Sequence, residues 1–265
     1  MTDRDQLRLP MDATALRADV TGSFWRQLEV VQQTGSTNAD LLARAASGAD
    51  IDGAVLIAEH QTAGRGRHGR GWSATPLAQI TMSVGVGVGD VPVEAWGWVS
   101  LATGLAVVDT VAPLIEVTGV EATLKWPNDV LAGGGKLAGI LAEVTRPFVV
   151  IGVGLNVTQA PEEVDGPGAT SLLDVGVAAP DRTRIASTLL RELGARIAQW
   201  RNADPQLAAD YRARSLTIGS RVRAELPGGQ EVIGLARDID DQGRLCIEAD
   251  DEIVVVSAGD VVHLR

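Results

Sequence analysis

Apolar positions along the chain change period several times, and each change predicts an element. Residues 1–24 are polar and aperiodic, which predicts a loosely ordered leader. Ser36-Thr37-Asn38 precede a stripe of Ala39, Leu41, Leu42, Ala45 and Ala46, with Gly48 behind it. A hydroxyl cap, one apolar face and a closing glycine predict a helix. Ala54 to Ala58 is a short apolar run, read as a buried strand. Ile80, Met82, Val84, Val86 and Val88 alternate with small or polar residues, the period of a long strand. Glu94 to Val111 reads as an apolar helix closed by Pro113.

Thr123 to Trp126, Val130 to Ala132, Leu137 to Val144 and Phe148 to Val153 are short apolar runs. Pro127-Asn128-Asp129 and Gly133-Gly134-Gly135 divide the first three, so tight turns and a mainly antiparallel meander are expected. Ile185, Leu189, Leu193, Ile197 and Trp200 then recur at helical spacing, and Asp204 to Arg214 reads as a last helix. From Ile218 to Leu264 about five alternating runs are separated by Pro227-Gly228-Gly229, Asp240 to Gly243 and Asp250-Asp251. A small closed β-barrel fits that stretch. The change near Ser215 divides the chain into residues 1–214 and 215–265. The fold class is α+β: a mixed, largely antiparallel sheet with packed helices, followed by the barrel.

Composition narrows the function. The 265 residues, 45% hydrophobic and 22% charged, can bury about 70% of their unfolded surface. No stretch approaches the ~20 uncharged apolar residues that span a bilayer, and the mixed charges of Met1 to Asp19 are not those of a signal peptide. Cys246 is alone, so no internal disulfide forms, and a cytoplasmic protein is expected. A net charge of -11 argues against nucleic acid as a partner. Of 23 basic residues only Lys125 and Lys136 are lysines; the other 21 are arginines.

Four segments carry candidate chemistry. Gly64 to Trp72 holds Arg65, Arg67, Arg70, His68 and four glycines with no acid. Glycines allow close approach, and arginine forks grip carboxylate or phosphate; a solvated basic loop is the equal alternative. Lys125-Trp126-Pro127-Asn128-Asp129 supplies a cation and hard oxygen ligands for phosphate and Mg²⁺, although Pro-Asn-Asp is also good turn chemistry. Lys136 opens an apolar run, but Leu137 stands where a Walker loop needs Ser or Thr. Gly152-Val153-Gly154-Leu155-Asn156 lacks the third glycine of a dinucleotide fingerprint. In a chain that otherwise uses arginine, two lysines in two candidate sites suggest a role for a compact ammonium.

The ordered set Gly-Ser-Thr-Asn, Gln-Thr-Ala-Gly-Arg-Gly-Arg, Lys-Trp-Pro-Asn-Asp, Lys-Leu-Ala-Gly-Ile-Leu and Gly-Val-Gly-Leu-Asn, from Thr34 to Asn156, resembles the biotin protein ligases. A small C-terminal SH3-like barrel is also a feature of that family. The resemblance implies that biotin and ATP are joined as biotinyl-5′-AMP, and that biotin then passes to one lysine of a biotin carboxyl carrier domain of an acyl-CoA carboxylase. It implies that Ser36, Thr37, Asn38 and Gln61 hold the biotin head, with Gly64, Arg65, Gly66 and Arg67 lining the ligand from the loop. Lys136 would touch the biotin carboxylate and α-phosphate, and Lys136 and Arg67 would be catalytic. Arg67, Trp72, Lys125, Asn128, Asp129 and Asn156 would bind ATP and the adenylate, with Asp129 holding Mg²⁺. His68 receives no catalytic role. No membrane partner is implied, and the protein would be a monomer or weak homodimer. A lipoate or octanoate ligase is the nearest alternative. A DNA-binding regulator is the other, but only 33 residues of mixed charge precede Thr34.

Overall fold

The computed structural model describes residues 4–20, 22–89, 91–163, 168–226, 230–257 and 259–264. Strands β1 (Gln27–Val31), β2 (Ala54–Ala58), β3 (Gln79–Gly87), β4 (Ala122–Lys125), β5 (Asp129–Ala132), β6 (Gly135–Thr145) and β7 (Phe148–Asn156) form one sheet. Its order is β1-β2-β3-β7-β6-β5-β4. The β1–β2 pair is parallel and the other neighbours are antiparallel, so the mixed, largely antiparallel sheet expected from the meander is present. The register aligns one residue of each strand in a row: Val31, Ala58, Thr81, Gly154, Gly139, Asp129 and Lys125. Directly opposed residues share a face of the sheet, so apolar, glycine and charged positions succeed one another across it.

The helices are α1 (Ala13–Val20), α2 (Thr37–Ala46), α3 (Trp98–Ile115), α4 (Arg182–Arg201) and α5 (Pro205–Arg214). Ser36 caps α2 by accepting from Ala39 N at 3.5 Å, and Gly48 follows at φ 89°. Asp181 caps α4 in the same way, with Arg184 N donating at 3.1 Å. Composition alone would let the segment around α3 cross a bilayer, yet most of it is buried in the core. Its boundaries differ from the expected ones. A 3₁₀ turn occupies Val93–Gly97, and the helix runs through Pro113 to Ile115. Burial of Val111 and Ile115 outweighs the single backbone donor that proline removes.

The leader is a second correction. Leu16 is fully buried, Met11 N donates to Glu59 Oε1 at 2.6 Å, and Arg8 pairs with Glu163 at 2.6 Å. Arg182, itself buried against the Glu59 carboxylate, donates to Leu9 O. These anchors lie far along the chain, so no local periodicity announces them.

Strands β8 (Arg221–Glu225), β9 (Glu231–Ile239), β10 (Leu245–Ala249), β11 (Glu252–Val256) and β12 (Asp260–His263) form an antiparallel sheet ordered β11-β10-β9-β8-β12. This is the antiparallel β unit expected at the C-terminus, and among the described residues no ladder joins β11 to β12. The Pro227-Gly228-Gly229 turn lies outside the described residues. This sheet packs on the first unit. Trp126 Nε1 donates to Gly243 O at 3.0 Å, Trp98 Nε1 to Asp241 O at 2.9 Å, and one apolar core runs through both.

Candidate functional site

Four residues of the cross-sheet row, Gly154, Gly139, Asp129 and Lys125, line a cavity of about 360 Å³. Its floor is shaped by missing side chains. The Trp72 indole lies on Gly139 and Gly154; a Cβ on Gly139 would stand 2.8 Å from the ring, and one on Gly154 would enter it. Trp72 Nε1 donates to Gln79 Oε1 at 3.1 Å. Gln79 Nε2 donates to Asn156 Oδ1 at 2.8 Å, and Asn156 Nδ2 to Thr170 O at 2.9 Å. A chain of buried amides therefore fixes the indole plane. Lys136 Nζ stands 5.6 Å from the indole centroid and 2.7 Å from Asp129 Oδ1. That second contact is ionic rather than an aligned hydrogen bond: Asp129 Oδ1 is buried without a hydrogen-bond donor.

Another part of the cavity is a polar pocket at the start of α2. Thr37 N donates to Gln61 Oε1 at 2.8 Å, and the Thr37 and Ser83 hydroxyls share a hydrogen bond of 2.6 Å. Ser83 Oγ donates to Asn38 Oδ1 at 2.5 Å, and Asn38 Nδ2 to Glu143 Oε2 at 2.9 Å. Gly152 is required beneath, since a Cβ there would collide with the Asn38 amide. Ser36, Thr37 and Asn38 are buried, so their orientation is set before any ligand arrives.

Residues 64–72 form the roof. The loop doubles back on itself: Gly66 N donates to Arg70 O at 2.7 Å and Trp72 N to Gly64 O at 2.9 Å, with His68 and Gly69 at positive φ between them. Arg67 Nη1 donates to Asn128 Oδ1 at 3.1 Å and to Gly259 O at 3.4 Å. Burial pushes the Arg67 guanidinium below its ordinary pKa, partly offset by the carboxylates of Asp260 and Asp129. Arg65 donates to Glu143 Oε1 at 2.8 Å, and Arg70 to Asp260 Oδ1 at 2.7 Å.

Every residue given a binding or catalytic role from the sequence lines this cavity except Gly64 and Asn156; His68, given no such role, does not line it. Gly64 acts one step back, where the Trp72 carbonyl leaves no room for a side chain. Asn156 is buried and orients Gln79 rather than facing the cavity. Sequence reasoning missed Gln79, Ser83, Glu143 and Asp260. A signal existed for two of them: Gln79, Thr81 and Ser83 are polar positions that alternate with Ile80, Met82 and Val84 in one strand, and all three are buried. Among the described residues no cluster of three His, Cys, Asp or Glu could hold a metal alone.

Comparison with known proteins bears on this arrangement. Residues 30–156 match the biotin/lipoate A/B protein ligase family, and residues 217–264 match the biotin protein ligase C terminal domain. The chain is 79% identical to a biotin–[acetyl-CoA-carboxylase] ligase of Mycobacterium tuberculosis over the full length of both. It is 32% identical to the bifunctional ligase/repressor BirA of Escherichia coli, across 85% of this chain and 70% of that protein. Its fold matches a biotin protein ligase from Aquifex aeolicus in complex with biotin and ATP, with TM-score 0.76 and 24% identity over 91% of this chain and 100% of that one.

Proposed function

The chain belongs to the biotin protein ligase family, and on that premise we propose how its cavity performs the family's reaction. The enzyme activates biotin with ATP to biotinyl-5′-AMP and transfers biotin to a lysine of a biotin carboxyl carrier protein. Neither alternative, lipoate ligase or DNA-binding regulator, is favoured by the full-length likeness to a biotin ligase.

In our reading the buried network of Ser36, Thr37, Asn38 and Gln61 receives the polar ring of biotin, and Lys136 receives its carboxylate. The Trp72 face receives adenine, while Lys125, Asn128 and Asp129 handle phosphates. The observation that carries this is the placement of Lys136 Nζ beside both the Asp129 carboxylate and the Trp72 indole, in the wall of the cavity that Ser36, Thr37, Asn38 and Gln61 also line. In the first step a biotin carboxylate oxygen bonds to the α-phosphorus and the bond to the β-phosphate oxygen breaks, releasing pyrophosphate. Two anions approach there only when cations offset them. Lys136 can leave Asp129 for the incoming anions, because the pair is held by charge without an aligned hydrogen bond. Arg67, desolvated beneath the roof, supplies the second cation.

Asp129 offers one buried carboxylate oxygen without a donor, and Mg²⁺ is commonly held by one or two carboxylates, waters and substrate phosphates. The residues fit that ion, which when bound would neutralise phosphate charge. In the second step the acceptor amine attacks the anhydride carbonyl and AMP leaves. Proximity under the roof carries that step in our reading.

We divide the chain into a catalytic unit of residues 1–214 and a C-terminal unit of 215–265, and we place the enzyme in the cytoplasm, where the free thiol of Cys246 stays reduced. The proposed acceptor is the carrier domain of an acyl-CoA carboxylase. Incubation with biotin, Mg-ATP and that domain should give a biotinylated band on an avidin blot. Pyrophosphate exchange that depends on lipoate but not on biotin would overturn the reading.

A further inference from the structure

The roof meets the C-terminal unit at Gly259 and Asp260. Asp260 opens β12 and faces two arginines and a histidine of the 64–72 loop. Its Oδ1 accepts from Arg70 at 2.7 Å and stands 3.9 Å from His68 Nε2. Its charge also acts on Arg67, whose Nη1 reaches the carbonyl of the adjacent Gly259. The position of this carboxylate is set by the second sheet. Asp260 pairs with Glu225 of β8, and Gly259 is pressed so closely on the Glu225 carbonyl that a side chain could not fit. The sheet in turn is docked on the catalytic unit through Trp126 and Trp98.

We propose that Asp260 is a positioning residue for the ligation reaction: it latches the arginine loop to the C-terminal sheet and so holds the roof over the bound adenylate. Without it, Arg67 keeps Asn128 as a partner, but Arg70 and His68 lose their carboxylate. The loop then spends more time open, and the anhydride meets water or escapes. The C-terminal unit thereby takes part in catalysis without contributing a group to the reacting atoms. The adenylate half of this proposal rests on the ligase reading above.

The test reads the loop directly. Amide hydrogen exchange across residues 64–72 is measured in the ligand-free full chain for the parent, Asp260→Asn, Asp260→Glu, Arg70→Gln and the Asp260→Asn/Arg70→Gln pair. Asp260→Asn should speed exchange in the loop about two- to fivefold, the range expected for a partly exposed charge pair, while the amides of β7 stay at parent rates. Asp260→Glu should restore most of the protection. The double variant should open the loop by less than the sum of the singles, because both remove one interaction. The gap between parent and Asp260→Asn should shrink in about 1 M salt. Unchanged loop exchange in Asp260→Asn, an equal rise in β7, additive singles or a gap that persists in salt would each overturn the latch.

A second arm follows release of labelled biotinyl-AMP by gel filtration, which should quicken in Asp260→Asn by a similar factor. A parent that forms no adenylate would refute the ligase reading, and the exchange arm would still decide the latch. A parent that holds adenylate beside an Asp260→Asn loop that does not open would refute the latch alone.

Discussion

Two regions bound the same cavity and are built by opposite means. The floor is made of strands β3, β6 and β7 and the start of α2, with Gln79 only 2% exposed and Asn38 4%. Its shape comes from glycines that admit an indole and an amide, and each amide is held by others. Loss of one buried partner in such a network costs about 1–3 kcal/mol. Two of the roof's three arginines, Arg65 and Arg70, have side chains 48% and 61% exposed, while Arg67 is partly desolvated. Exposed ion pairs are worth about 0–1 kcal/mol each. The floor is therefore rigid before substrates bind, whereas the roof is held weakly enough to admit them and release product.

The strongest challenge to this contrast is Gly154→Ala. The added methyl enters the Trp72 ring, and repacking an overfilled site costs about 1–3 kcal/mol. Displacing the indole by even 1 Å should lower biotin-dependent pyrophosphate exchange about 10²-fold. Near-parent exchange would show that the floor is not rigid. Lys136→Ala should reduce adenylation by about 10²–10³, the range for removing one preorganised charge. Lys136→Arg should restore little, because a planar guanidinium spreads its charge and donors where a compact ammonium sits beside Asp129 and Trp72; full activity there would break the case for a compact ammonium.

Roof substitutions should be gentler and of a different kind. In Arg67→Ala, adenylate should still form, about tenfold more slowly, and then leak and label bystander amines. Retention of the adenylate in that variant would contradict a covering role. The smallest effect is that of salt: between about 0.05 and 0.5 M, adenylate release should quicken while the melting temperature shifts by only a few degrees, since screening acts on exposed pairs. Equal sensitivity of both measurements would erase the distinction between floor and roof.

Much of the floor was legible because its residues sit in short motifs whose order is specific. The stripe of α4 emerged as read, since burial there follows the helical period, and β3 is the long strand its alternation announced, although it is buried on both faces. The N-terminal segment did not. Met11, Leu16 and Val20 are too sparse for a stripe, and their anchors, Glu59 and Arg182, lie elsewhere in the chain. Asn156 sits in a recognisable motif, but only the β3–β7 register, which pairs it with Gln79, shows that it works from behind Trp72. Asp260 is one of many acidic residues in an acidic chain, and nothing local marks it as the one that meets the arginine loop.

Both lysines of the chain, Lys125 and Lys136, lie in the wall of the cavity. Everywhere else the enzyme carries its positive charge on guanidinium groups, which stay protonated and do not attack acyl groups. A catalyst that manufactures an amine-seeking anhydride thus exposes no lysine side chain of its own outside the site. With respect to lysine side chains its outer surface is silent toward its product, and the carrier's lysine meets no competition from a lysine of the enzyme outside the cavity. Intact-mass measurement after prolonged turnover should find the chain almost unlabelled, and heavy labelling outside the cavity would contradict that silence.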